Sequence, residues 1–123
     1  MTQGVGNWTF NVLPCQAGRR SEKQSPWYDM ATAAVAMIAR PYIPQGGKVY
    51  DLGCAAGNVG RVLAPTLHER EARLVALDEC RDMVAAYRGP GRAITADVAR
   101  YPYKGFDVGI AFLTLMFLPV PER

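Results

Sequence analysis

Residues 48–60 read K-V-Y-D-L-G-C-A-A-G-N-V-G. A short apolar run ends in an acid, Asp51, turns through small residues and opens a helix. Gly53, Gly57 and Gly60 let the backbone turn sharply and come close to a ligand. In an open α/β sheet, ligands sit in the crevice beyond the carboxyl ends of the strands, and this is the sequence of such an end.

Working outward, the downstream chain repeats the pattern. A helix is predicted over 58–69, with Val62, Leu63 and Leu67 inward and Pro65 kinking or ending its first segment. Residues 73–77 (R-L-V-A-L) form a second buried strand that ends at Asp78. A helix over 80–87 follows, stopped by Gly89-Pro90-Gly91, and then a short third strand over 92–95 with Asp97 just beyond it. The fourth strand, 106–113 (F-D-V-G-I-A-F-L), is an almost continuous apolar run of the kind covered on both faces. Upstream, Ser25-Pro26 starts an alanine-rich helix over 27–39, whose larger apolar residues Tyr28, Met30, Val35, Met37 and Ile38 are expected to face the sheet. Residues 1–26 are irregular, punctuated by Gly4, Gly6, Pro14, Gly18 and Pro26, and read as a flap. Its apolar residues Trp8, Phe10, Val12 and Leu13 suit a docking contact better than a substrate site. Strands alternating with helices predict an α/β domain over 27–123 with a Rossmann-like parallel sheet and right-handed crossovers.

Composition narrows the function classes. A chain of 123 residues has the length of one domain. Its net charge is +3, from 14 Lys and Arg against 11 Asp and Glu, too mild to argue for nucleic acid. The basic cluster Arg19, Arg20 and Lys23 reads as a solvated segment. Cys15, Cys54 and Cys80 show no metal-type spacing, and His68 is the single histidine, so zinc chemistry is not expected. The odd cysteine count, with no signal segment and no long apolar run, points to a reduced cytoplasmic setting away from membranes.

The acids carry the chemistry. Asp51, Asp78 and Asp97 each stand at or just after a predicted strand end, and in a parallel sheet those ends share one edge. Dinucleotide sites want G-x-G-x-x-G, but counted from Gly53 the later glycine positions hold Ala55 and Asn58. The phosphate-cradling G-x-x-x-x-G-K-[ST] pattern is absent as well. Pyrophosphate is therefore not the favoured ligand.

Residues 51–57 (D-L-G-C-A-A-G) instead resemble the D/E-x-G-x-G-x-G loop of class I S-adenosylmethionine-dependent methyltransferases, with Ala55 at the central small position. The resemblance extends from about Trp27 to Glu122. It implies that Asp78 holds the ribose hydroxyls, with Glu79 beside it, and that Asp97 and Val98 in A-D-V meet the adenine. An ionised carboxylate accepts two hydroxyl hydrogen bonds, which suits the residue type at Asp78. The implied cofactor set is Tyr28, Asp51, Gly53, Cys54, Ala55, Gly57, Asp78, Glu79, Met83, Asp97 and Val98. S-P-W-Y at 25–28 and T-L-M-F-L-P at 114–119 are most similar to the carboxy-S-adenosylmethionine synthase branch and its methyltransferase relatives. In that branch a tyrosine matching Tyr28 reaches the cofactor, while the position of a cofactor-contacting asparagine holds Phe112 or a neighbour here. A C-terminal arginine of that branch would fall beyond Arg123.

The resemblance implies transfer of a methyl group to a small molecule or nucleoside, with a carboxy-S-adenosylmethionine synthase, a non-catalytic cofactor binder or assembly protein, and another nucleotide-binding α/β domain as alternatives. Each residue also has a plainer reading. Asp51 and Asp97 could form turns, Asp78 could cap a helix, Cys54 could be a small loop residue, and Cys80 and Met83 could be ordinary packing. Four of the family's seven strands are supplied, so strand four becomes an edge that a continuation, a second copy or a partner chain must cover. The ending P-V-P-E-R reads as the start of a further helix, as in a truncated fold.

Overall fold

The computed structural model describes residues 26–112 and 114. Four parallel strands lie in the order β3-β2-β1-β4: β1 Lys48–Leu52, β2 Arg73–Asp78, β3 Arg92–Thr95 and β4 Val108–Ile110. The helices are α1 Pro26–Ala39, α2 Asn58–Glu69 and α3 Arg81–Ala85, with a 3-10 turn over Arg40–Tyr42. β1 pairs with β2 over its whole length, from Lys48↔Arg73 to Leu52↔Leu77. Its pairing with β4 is shorter, from Val49↔Val108 to Asp51↔Ile110. The strand order therefore reverses between β1 and β4, which makes their carboxyl ends the crevice of the sheet. The expected flap over 1–26 lies outside the described residues, apart from Pro26.

One face of the sheet carries the main core. Val49, Leu74, Ala76 and Ile110 pack there against Ala36, Ala39 and Ile43 from α1 and the turn after it, and against Val59, Leu63 and Leu67 of α2. Successive strand residues point to opposite faces, so Tyr50 looks the other way. On that side the chain between β3 and β4 supplies the cover. Tyr101, Tyr103 and Phe106 stand edge-on to the Tyr50 ring, with centroids at 6.0, 4.9 and 5.1 Å. Such arrangements bring the positive ring edge to the negative ring face.

Helix α1 departs from expectation. The residues it buries are Tyr28, Thr32, Ala36 and Ala39, whereas Met30, Met37 and Ile38 are 75%, 63% and 69% exposed. Of the larger residues assigned inward, Tyr28 is buried and Val35 half-buried against the core. Small side chains let the α1 backbone approach α2 and the sheet closely, and alanine needs no rotamer ordering. Thr32 fits because its hydroxyl donates to the Tyr28 carbonyl at 2.7 Å.

In α2, Pro65 neither ends nor divides the helix. It lies on the exposed side, where the carbonyl it leaves unpaired can turn to water. Val62, expected inward, is 37% exposed, and Thr66 takes the buried position. Its hydroxyl accepts from Arg40 Nε at 2.9 Å, and Arg70 Nη1 donates to the Ile43 carbonyl at 2.8 Å, tying the turn after α1 to α2. Helix α3 is shorter than expected, with Cys80 as its N-cap. β4 is also shorter than the apolar run: Phe106 is 49% exposed and belongs to the aromatic cover, while Leu113 is outside the described residues. As expected, β4 is an edge of the four-stranded sheet.

Candidate functional site

The loop after β1 is built around two left-handed glycines, Gly53 at φ +76° and Gly57 at φ +95°. Neither could carry a side chain: a Cβ at 53 would overlap the Thr114 hydroxyl, and one at 57 would lie 2.7 Å from both the Gly89 nitrogen and the Tyr87 ring. Between them Ala55, at φ +48°, holds a left-handed conformation that costs a side chain roughly 1–2 kcal/mol. Gly60 plays a different part from the turn role its sequence suggests. It lies within α2, where a Cβ would sit 3.0 Å from Pro90 Cδ, so its missing side chain serves close packing.

The loop is pinned to β2. Gly53 and Cys54 both donate their amides to the Leu77 carbonyl, at 2.7 and 2.9 Å. The Ala55 amide donates to Asp78 Oδ2 at 2.9 Å, and Asp78 Oδ1 accepts the Cys80 amide at 2.8 Å. Asp78 is thus not the cap of α3, whose N-cap is Cys80; its carboxylate instead ties the turn before that helix to the glycine loop. Each carboxylate oxygen keeps a further lone pair, so neither bond prevents acceptance of a hydroxyl proton.

Asp51 is the anomaly of the site. It is 2% exposed, and its Oδ2 has no hydrogen-bond partner. Burial, then the charge of Asp78, pushes its carboxyl up to about 7. Nearly all buried polar atoms are paired, because an unpaired one forfeits its hydration without return. The same low-dielectric surroundings raise Cys54 and Tyr87, each by burial first and then by Asp51. Tyr87 donates its hydroxyl to the Pro90 carbonyl at 2.7 Å and packs beneath the glycine loop. Its position next to Gly89-Pro90-Gly91 was the available signal for a residue that sequence reasoning passed over.

Further along the edge, Glu79 is raised by partial burial and by the charges of Asp97 and Asp78. Four carboxyl groups, Asp51, Asp78, Glu79 and Asp97, thus form a linked series along the ends of β1, β2 and β3. Asp97 is the outermost. Its Oδ1 accepts the Ala99 amide at 2.9 Å and its Oδ2 pairs with Arg100 Nε at 3.4 Å, which makes it a turn former as well. Val98 offers its carbonyl to the Tyr103 hydroxyl at 2.6 Å. Met83 is 3% exposed within α3. On the β4 side Tyr28 is buried against Phe112, with ring centroids 5.5 Å apart.

Among the described residues no cluster of His, Cys, Asp and Glu could hold a metal ion, and no helix is long and apolar enough to cross a membrane. Cys54 is a free, buried thiol, whereas Cys80 is disulfide-bonded, which departs from the fully reduced set expected. The crevice therefore offers a buried acceptor at Asp51, further acceptors at Asp78 and Glu79, a glycine-lined floor and an aromatic wall. That set suits an elongated ligand with donor groups along it and a cationic or amine end near Asp51.

No family model matches the chain. Over 97% of its length it is 27% identical to the carboxy-S-adenosyl-L-methionine synthase of Erwinia tasmaniensis and 26% identical to that of Escherichia coli O17:K52:H18. The chain is thus similar in sequence to carboxy-S-adenosyl-L-methionine synthases. It spans about half the length of these curated relatives, covering 52% of each. Among solved structures it resembles the plantazolicin methyltransferase BpumL in complex with SAH (TM-score 0.55, 14% identity, 85% of this chain and 44% of that one). It also resembles the YcgJ protein of Bacillus subtilis (TM-score 0.50, 16% identity, 65% and 36%). The fold is thus the Rossmann-like methyltransferase fold, of which the described residues supply four strands.

Proposed function

We propose that this chain holds S-adenosyl-L-methionine at the crevice between β1 and β4, as the cofactor-binding part of a methyltransferase acting on a small molecule or nucleoside. The observation that carries the reading is Asp51: a buried carboxyl with an unpaired oxygen, beside a tight loop that turns through two left-handed glycines. An unpaired buried acceptor is a fit for the ammonium group of an amino-acid moiety. The homologues' names support the same ligand, since they carry it in their product.

In this reading the remaining residues divide by position. Gly53, Cys54, Ala55 and Gly57 form the floor against which the ligand lies. Asp78, with Glu79 beside it, receives the ribose hydroxyls through its spare lone pairs, and Met83, Asp97 and Val98 border the adenine. Tyr28 and Phe112 close the β4 side with apolar surface that excludes water. When bound, the sulfonium supplies an electrophilic methyl group. The chain's own contribution is to fix the donor's orientation, remove water and leave a path for the acceptor, a positioning role that accounts for much of the rate in such transfers.

Calorimetric titration with S-adenosyl-L-methionine, S-adenosyl-L-homocysteine and NAD tests the reading. Binding of the two adenosyl-sulfur ligands without NAD is the expected result, and no binding of either by folded protein would overturn it. A second reading, formation of carboxy-S-adenosyl-L-methionine, draws on the names of the homologues. Mass spectrometry of the adenosyl product separates the two: loss of the methyl group marks a methyltransferase, and gain of a carboxyl group marks the synthase. Binding without turnover of any acceptor would mark a cofactor binder.

A further inference from the structure

Pairing between β1 and β4 ends at Asp51↔Ile110, at the carboxyl ends where the strand order reverses. Leu52 is the first β1 residue past the last pair, so its carbonyl has no β4 amide in the ladder. The Thr114 hydroxyl lies 2.6 Å from that carbonyl oxygen. A second carbonyl, that of Phe112, is 3.1 Å from the same hydroxyl. A hydroxyl has one proton to give, and the shorter contact is the better claim on it.

The Leu52 carbonyl and the Gly53 amide belong to one peptide plane. The amide end donates to the Leu77 carbonyl of β2 at 2.7 Å. With Thr114 at the carbonyl end, the plane is held from both sides, by β2 and by the segment after β4. Its orientation sets where the chain enters the left-handed turn at Gly53. Thr114 also fills the space a Cβ at 53 would need. It is 8% exposed, so no water competes freely for the same carbonyl.

We propose that Thr114 is a positioning residue for the cofactor loop, acting through the Leu52–Gly53 peptide and bridging the two walls of the crevice. The inference rests on the ligand reading above for its functional consequence, but not for its structural one. It does not place the threonine side chain on the ligand.

The test compares Thr114→Val, which keeps the shape and removes the hydroxyl, with Thr114→Ser, which keeps the hydroxyl. Thr114→Ala serves if the valine variant does not fold. Affinity for S-adenosyl-L-homocysteine is expected to fall about three- to tenfold in Thr114→Val, the range for one lost hydrogen bond. Thr114→Ser is expected to stay within about twofold of the parent chain, and the thermal midpoints of the ligand-free proteins to track affinity poorly. Equal affinity in Thr114→Val, or a serine variant as weak as the valine one, overturns the proposal. In parallel, amide hydrogen exchange at Gly53 and Cys54 is read by NMR without ligand. Faster exchange in the valine variant alone supports the proposal even if the parent chain binds no adenosyl ligand, an outcome that would remove only the ligand reading. Unchanged exchange overturns it.

Discussion

Replacing Asp51 by asparagine preserves the outline of a buried side chain and removes its charge. In the folded protein the carboxyl titrates at about 7, against an ordinary value of 3.8. The folded state therefore holds the proton more tightly than the unfolded one between those values. Stability falls as pH rises through that window, because the unfolded state has already lost its proton while the folded state must give one up from a dry site. The shift of about 3 units, at 1.36 kcal/mol each, sets a ceiling of about 4 kcal/mol for the penalty above pH 7. The neutral amide carries no such penalty. Urea unfolding of the ligand-free proteins should show the two nearly equal at pH 4 and Asp51→Asn more stable at pH 8 by about 2–4 kcal/mol. The same variant should bind S-adenosyl-L-methionine at least tenfold more weakly at pH 8. In the parent chain, affinity should rise with pH through about 7 as the carboxylate becomes available. A variant that is less stable than the parent at pH 8 would refute the reasoning, since Asp51 would then be a compensated charge.

Three further perturbations address the loop and the helix. Ala55→Gly should stabilise the ligand-free protein by about 1 kcal/mol, because glycine adopts the left-handed conformation without the side-chain cost. A destabilised variant in thermal unfolding would contradict the strain assigned to that turn. Asp78→Ala removes the acceptor for two backbone amides, so it should cost about 2–4 kcal/mol of stability as well as weakening adenosyl binding; denaturant and binding measurements on one preparation separate the two effects, and unchanged stability would show those bonds to be idle. In α1, Ala36→Leu should cost about 1–3 kcal/mol by overpacking, whereas Met37→Gln should stay within about 0.5 kcal/mol. Equal effects in a urea titration would mean that the helix is seated on its other face.

Much of the sheet was legible because each strand is a compact apolar run that ends in an acid or a turn. The place of β4 at an edge followed from the family resemblance, with four of the family's seven strands supplied. Helix α1 was misread for a definite reason. Size and hydrophobicity pointed to Met30, Met37 and Ile38, but close backbone approach selected Thr32, Ala36 and Ala39 instead. Periodicity could not decide between them, since both stripes are apolar. At the site, the positions of Asp51 and Asp78 were readable from strand ends. Their inequality was not: one carboxyl has an orphaned oxygen and the other accepts two amides, a matter of loop path rather than residue type. Thr114 was invisible for the same reason, because its partner is a carbonyl 62 positions away in the chain.

The aromatic cover on the second face has a mechanical consequence. Residues 97–106 are a single short piece of chain whose first part, Asp97 and Val98, follows the carboxyl end of β3 and whose last part rests on Tyr50 through Tyr101, Tyr103 and Phe106. The Tyr103 hydroxyl clasps the Val98 carbonyl, so the two parts behave as one lever with its fulcrum on the sheet. Trimming Phe106, a ring half open to solvent and remote from the crevice, would loosen the seat of that lever and be felt at its far end.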